Sequence, residues 1–188
     1  MDRVIICVGR KVSLGILSRE DAPDLFRMIN DRDVNRMLRS PPPINSLVEE
    51  YEWIDNQSII KGKNLNLGIV DNHTNKLIGV IGVNNMESNL YGTLGYFLYK
   101  DSWGKGFGTE AIQLIVEYCF NVLNMRKITA NAYEPNAGSI RVLEKNGFKM
   151  NGRQEEHLFI EDHGFVDSLY FEKLNPNRQR NSFSKENE

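Results

Sequence analysis

Cysteine is scarce in this 188-residue chain: Cys7 and Cys119 are the only two, and they lie far apart in sequence. Such a pair gives no disulfide framework, and a reduced, cytoplasmic setting is expected. Cys119 falls on the apolar side of a predicted helix, the usual place for a small buried thiol. Long apolar runs are missing too. No stretch approaches the roughly 18 apolar residues that span a bilayer, and the N-terminus lacks the extended apolar region of a secretory signal, so no membrane partner is expected. Positive charge is not in excess either: 23 Lys and Arg stand against 25 Asp and Glu, for a net charge of -2. The basic residues are spread along the chain, without the stripe that releases counterions from phosphates, and this excludes nucleic acid as an expected ligand. The three histidines, His73, His157 and His163, have no metal-ligand spacing, so no metal is expected.

What is present is ordinary. A hydrophobic fraction of 40% and a charged fraction of 26% fit one compact domain. That domain is read over 1–174. The remainder, 175–188, is a polar tail with too few apolar residues to repay the entropy of ordering, and a homodimer formed through it is left open.

Val4, Ile6 and Val8, then Val12, Leu14 and Ile16, alternate with period two around a turn at Gly9-Arg10, which predicts two strands. Ser18 and Asp21 open a helix whose apolar stripe is Ala22, Leu25, Phe26 and Ile29. A loop or short helix leads to the breaker Pro41-Pro42-Pro43. Ser46 and Glu49 form a capping box for a helix running to about Ile60, with Leu47, Tyr51 and Ile54 as its buried face. Leu65, Leu67 and Ile69 restore period two, and the turn residues 71–75 join them in a hairpin to a strand over 77–83. A turn at Glu87-Ser88-Asn89 leads to a strand over 94–99, a glycine loop and a helix over 109–122. A short strand over 128–132 comes next, then a helix bracketed by Asn136 as N-cap and Gly147 as C′ residue, with Phe148 folding back on it. Two strands over 149–160 and 165–174 end the pattern. This order predicts a mixed α/β (α+β) domain with helices on both faces of its sheet.

The loop Gly104-Lys105-Gly106-Phe107-Gly108-Thr109 follows a strand and precedes a helix. Glycines there let backbone N–H groups approach an anion while the helix points its positive end at it, so a pyrophosphate would fit. The spacing is neither the Gly-x-Gly-x-x-Gly of a dinucleotide fold nor a P-loop, and a purely structural turn is the other reading. The surroundings add to this. Leu94-Gly95-Tyr96-Phe97-Leu98-Tyr99, with Trp103 through Ala111, resembles the acetyl-coenzyme A motif of the Gcn5-related (GNAT) N-acetyltransferases. The block from Asn136 through Ser139, Arg141, Leu143, Glu144 and Gly147 to Phe148 is similar to the second motif of that family. The resemblance runs over roughly 12–174 and is closest to the RimJ/RimL-type ribosomal-protein N-terminal acetyltransferases.

The resemblance implies a splayed, mostly antiparallel central sheet that binds acetyl-coenzyme A. Phe97, Leu98 and Tyr99 would line its pantetheine arm. Backbone groups of Gly104, Lys105, Gly106, Phe107, Gly108 and Thr109 would hold the pyrophosphate, and Asn136, Ser139 and Arg141 would complete the set. Trp103 stands where many relatives carry Arg or Gln. Acetylating an amine needs a base for the ammonium and a proton, or its equivalent, for the departing thiolate. The strand Glu and helix Tyr common in the family have no counterpart here, where Gly92, Thr93 and Leu143 stand. The RimJ/RimL-like pattern nominates Ser139 as acid, although a serine there also suits a helix start. For the base, Glu155, Glu156 and His157 lie on the penultimate strand, whose alternation sends Glu156 to the face opposite the other two; Glu156 is the nominee. Arg32, Arg36 and Arg39, with Glu49, Glu50, Glu52 and Asp55, lie on the acceptor side. The acids read either as a solvated helix face or as a field for cationic amines. The activity implied is direct transfer from acetyl-coenzyme A to a primary amine, with a protein or peptide N-terminus as leading acceptor. A polyamine or aminoglycoside is the second choice, and a non-catalytic coenzyme A-binding module the competing class.

Overall fold

The period-two runs become the strands of one eight-stranded sheet in the computed structural model, which describes residues 3–38, 44–56, 63–87 and 89–178. In chain order the elements are β1 (Ile5–Val8), β2 (Val12–Gly15), α1 (Ala22–Ile29), α2 (Arg32–Asn35), α3 (Leu47–Asn56), β3 (Leu65–Asp71), β4 (Lys76–Glu87), β5 (Tyr91–Leu98), α4 (Phe107–Asn121), β6 (Lys127–Tyr133), α5 (Ala137–Lys145), β7 (Lys149–Ile160) and β8 (Gly164–Leu174). The strand order is β1-β2-β3-β4-β5-β6-β8-β7. Every neighbouring pair is antiparallel except β5 and β6.

Helices cover both faces, because each strand sends alternate apolar residues to opposite sides. On one face α4 and α5 bury Ala111, Ile112, Ile115, Cys119 and Leu143 against Leu14, Ile69, Ile81, Leu94 and Leu98. Burial in that layer pushes the Cys119 thiol up to about 12. On the other face α1, α2 and α3 set Leu25, Met28, Val34 and Ile54 against Leu77 and Val80.

The elements differ from the sequence reading in places. In α1 the buried residues are Ala22, Leu25 and Met28, whereas Phe26 is exposed. The capping box of α3 forms, with Glu49 N donating to Ser46 Oγ at 3.2 Å and Ser46 N to Glu49 Oε2 at 2.6 Å. Its buried face, however, is Ile54 and Glu50, with Tyr51 half-buried and Leu47 exposed. The expected stretch to Ile60, like Arg39 and the Pro41-Pro42-Pro43 breaker, lies outside the described residues. Glu50, read as part of either a solvated helix face or a field for cationic amines, is instead buried and accepts from Asn45 Nδ2 at 2.7 Å, and burial raises its carboxyl above the ordinary range.

The loose tail expected from Asn175 onward fails over its first four residues. Asn175 is 2% exposed; its Nδ2 donates to the carbonyls of Phe120 and Met125, and its N–H to that of Arg126. Arg178 reaches the carbonyls of Asn89 and Asn124. A single asparagine, not apolar periodicity, ties this segment down: its buried amide satisfies the carbonyls of Phe120, near the end of α4, and Met125, ahead of β6. The rest of the tail lies outside the described residues.

Candidate active site

The parallel pair defines the site. β5 and β6 are in register from Tyr91↔Lys127 to Leu94↔Ala130, yet β5 continues to Leu98 and β6 to Tyr133. Beyond Leu94 and Ala130 their carboxyl ends part, while each stays paired with its outer neighbour, β4 or β8. α4 follows the end of β5 and α5 the end of β6, so the N-terminal ends of two helices meet the mouth of the gap. Carboxyl ends of diverging strands are where open sheets bind ligands, and helix N-termini favour an anion.

On the β5 wall, a Cβ at Gly95 would find no atom within 4 Å. Leu98 is buried with α4, and its carbonyl accepts from Trp103 Nε1 at 3.0 Å. Phe97 and Tyr99 pack on the opposite face with α1 and α3, where Tyr99 Oη donates to the Asp24 carbonyl at 2.7 Å. The three residues nominated for the pantetheine arm therefore do not share a side. Tyr96, between Gly95 and Phe97, points the same way as Leu98.

The glycine loop turns on two left-handed residues, Gly104 at φ 72° and Gly106 at φ 83°. That conformation is costly for residues with a Cβ. Gly106 caps α4, which begins at Phe107, two residues earlier than expected. The N–H groups of Phe107, Gly108 and Thr109 therefore belong to a first helical turn and have no intrahelical acceptor. Two contacts that sequence reasoning missed brace the loop from outside. Lys11, in the β1–β2 turn, donates from Nζ to the Lys105 carbonyl at 2.9 Å, and Glu110 accepts from the backbone N–H groups of Arg10 and Lys11. Only a residue separation of about 100 joins these groups, and nothing local announces them.

On the α5 side, Asn136 caps the helix as expected, its Oδ1 accepting from Ser139 N at 3.0 Å. The Ser139 hydroxyl is therefore not needed for capping. Instead Ser139 Oγ accepts from Tyr96 Oη at 3.0 Å, a bond that crosses the gap from β5 to α5. Tyr96 was not singled out from the sequence, where it reads as one more aromatic in an apolar strand. Burial pushes its phenol above the ordinary tyrosine value, outweighing the opposite pull of the Ser139 bond, so it is protonated at neutral pH. Arg141 is exposed on α5. At the far end of α5, Asn146 Nδ2 donates to the Thr109 carbonyl at 3.2 Å, fixing α5 against the start of α4.

Glu156 lies in a bulge. Gln154↔Ser168 and Leu158↔Val166 bracket Glu155, Glu156 and His157 opposite Asp167 alone, so the simple alternation assumed for this strand is broken. Glu156 has φ 46°, an uncommon backbone for a residue with a side chain. It is held by Asp167, whose Oδ1 accepts from Glu156 N at 2.9 Å while Oδ2 accepts from Arg153 Nε. The Glu156 N–H and the Arg153 guanidinium keep the Asp167 carboxyl below its ordinary range. On the neighbouring rim, Arg32 pairs with Glu161 at 2.6 Å and Arg36 with Asp162 at 2.9 Å, tying α2 to the β7–β8 turn. Among the described residues no group of three or more His, Cys, Asp and Glu is placed to hold a metal, and no helix is long and apolar enough to cross a membrane.

The gap suits acetyl-coenzyme A: an open wall at Gly95, a two-glycine turn and free helix N–H groups accommodate a narrow arm ending in phosphates. Comparison with known proteins agrees. Residues 12–149 match the family described as an acetyltransferase (GNAT) domain. An uncharacterized N-acetyltransferase, p20, from Bacillus licheniformis is 28% identical over 145 residues, 76% of this chain and 81% of that one. A probable N-acetyltransferase, YjcK, from Bacillus subtilis is 34% identical over 122 residues, 62% of this chain and 65% of that one. The crystal structure of spermidine N-acetyltransferase from Vibrio cholerae in complex with CoA and spermine superposes with a TM-score of 0.77 at 22% identity, over 88% of this chain and 96% of that one. The chain belongs to the GNAT acetyltransferase family and is an N-acetyltransferase that takes its acetyl group from acetyl-coenzyme A.

Proposed function

We propose that the acceptor is the N-terminal amine of a protein or peptide, as in RimJ/RimL-type enzymes. The observation that carries this is the fate of the acids on α3. Glu49 is spent in the capping box, Glu50 is buried on Asn45, and Asp55 pairs with Arg19 at 3.2 Å. Three of the four acids that would make an attracting field for a polycation are committed to the fold. Arg32 and Arg36 are likewise paired with Glu161 and Asp162. A rim with its charges paired suits an acceptor bearing a single ammonium followed by amides better than a polyamine.

Acetyl-coenzyme A supplies an activated acyl carbon whose sulfur leaves as a thiolate. The chain's residues must do the rest. Backbone N–H groups from Gly104 to Thr109 hold the phosphates, Ser139 aims its hydroxyl at the sulfur position as acid, and Glu156 takes the ammonium proton. The left-handed backbone of Glu156, which costs about 1–3 kcal/mol, is held by Asp167 and is the reason for preferring it over Glu155 and His157. The polyamine reading rests on the likeness to the spermidine enzyme.

Competition settles the acceptor class. An equimolar mixture of peptides with varied N-termini, spermidine, spermine and an aminoglycoside, incubated with acetyl-coenzyme A, should yield Nα-acetylated peptide as the main product by mass spectrometry. Acetylation confined to the polyamines would overturn the proposal.

A further inference from the structure

We infer that Tyr96 is a positioning residue for the Ser139 hydroxyl, directing its single proton toward the departing sulfur. The inference rests on Ser139 acting as the acid. A serine hydroxyl has one proton and two lone pairs. In the first turn of a helix that proton has a competing use, because it can turn back onto a nearby backbone carbonyl. Tyr96 Oη donates to Ser139 Oγ at 3.0 Å, while Asn136 already satisfies the Ser139 N–H. Among the described residues Ser139 Oγ has no other side-chain hydrogen bond. With the phenol occupying one lone-pair position, rotation about Cβ–Oγ leaves the proton only the positions directed away from Tyr96, one of which is open to a sulfur bound in the gap.

The phenol is suited to this. It packs against the core layer under α4, and a Cβ at Gly108 would lie 3.7 Å from its Cε2, so its ring is wedged against the first turn of α4. During transfer the amine nitrogen forms a bond to the acyl carbon, the carbon–sulfur bond breaks, and the sulfur takes the Ser139 proton. The serine oxygen is then stabilised by the Tyr96 O–H and regains a proton from solvent or from the ammonium by way of the base. Tyr96 keeps its own proton throughout.

A double-mutant cycle tests this. Ser139→Ala should lower kcat by about 100-fold or more. Tyr96→Phe, which removes only the hydroxyl, should lower kcat by roughly 2- to 12-fold, one ordinary hydrogen bond, with acetyl-coenzyme A affinity by calorimetry and the melting temperature near wild type. The double mutant should match Ser139→Ala alone, because the phenol has nothing left to orient. Tyr96→Leu separates hydroxyl from ring: it should melt lower yet lose no less kcat than Tyr96→Phe. Full kcat in Tyr96→Phe, or losses that multiply in the double mutant, would overturn the inference while leaving Ser139 as acid. Full kcat in Ser139→Ala would overturn the acid role itself, and the inference with it.

Discussion

Replacing Gly106 by Ala probes the phosphate cradle at its tightest point. Two separate effects follow from its geometry. The residue sits at φ 83°, and a residue with a Cβ loses about 1–2 kcal/mol in the left-handed region. For a chain of this size that is a drop of about 2–8 °C in melting temperature. The added Cβ would lie 3.2 Å from Lys11 Nζ and meets nothing else within 4 Å. Relieving that contact displaces Lys11 Nζ from the Lys105 carbonyl it holds at 2.9 Å; losing this one exposed hydrogen bond adds about 0.5–1.5 kcal/mol, and the protein should stay folded. Ligand binding is the second effect. A loop that shifts to relieve the strain misplaces the N–H groups that face the phosphates, and one charge-assisted hydrogen bond is worth about 1.5–3 kcal/mol, or about 10- to 140-fold in Kd. Calorimetric titration with acetyl-coenzyme A, paired with a thermal melt of the same preparation, separates the two. A variant that melts lower but binds with wild-type affinity would refute the placement of the phosphates on this loop.

Asn175→Ala removes both side-chain bonds to the Phe120 and Met125 carbonyls. It should cost about 1–3 kcal/mol, read by urea denaturation; unchanged stability would show that the residue is not anchored there. Glu50→Gln should stabilise the fold at neutral pH. The folded-state pKa of Glu50 is raised above its ordinary 4.5 by burial, so stability falls as pH rises through 4.5 and the folded-state value, and the loss persists at pH 7. Gln keeps an acceptor for Asn45 without the charge. Melting curves of the two proteins should converge below about pH 4.5 and separate above it, and a variant less stable at pH 7 would contradict this.

How much was legible follows the range of each interaction. The N-cap of α5, the C′ glycine after it and the α3 capping box are local devices spanning three or four residues, and each forms as read. The glycine loop was legible for the same reason, since a tight turn between a strand and a helix names itself. What escaped depends on contacts far apart in sequence. The Tyr96–Ser139 bond spans 43 residues and exists only because β5 and β6 part after Leu94 and Ala130. Burial of Glu50 was missed because helical spacing assigns faces by polarity, and a carboxyl paired with a nearby amide defeats that rule. The bulge at Glu156 was invisible because Asp167, eleven residues away on the partner strand, supplies the acceptor that makes it stable.

If the gap between β5 and β6 binds acetyl-coenzyme A and delivers its acetyl group to an amine, coenzyme A must leave as a free thiol. Following free thiol with a chromogenic disulfide, in the presence of acetyl-coenzyme A and with or without the mixed peptide and amine acceptors, tests it most directly. Thiol release should depend on the acceptor, saturate with acetyl-coenzyme A and be lost with Gly106→Val. Tight binding of acetyl-coenzyme A without thiol release from any acceptor would contradict it and leave a coenzyme A-binding module.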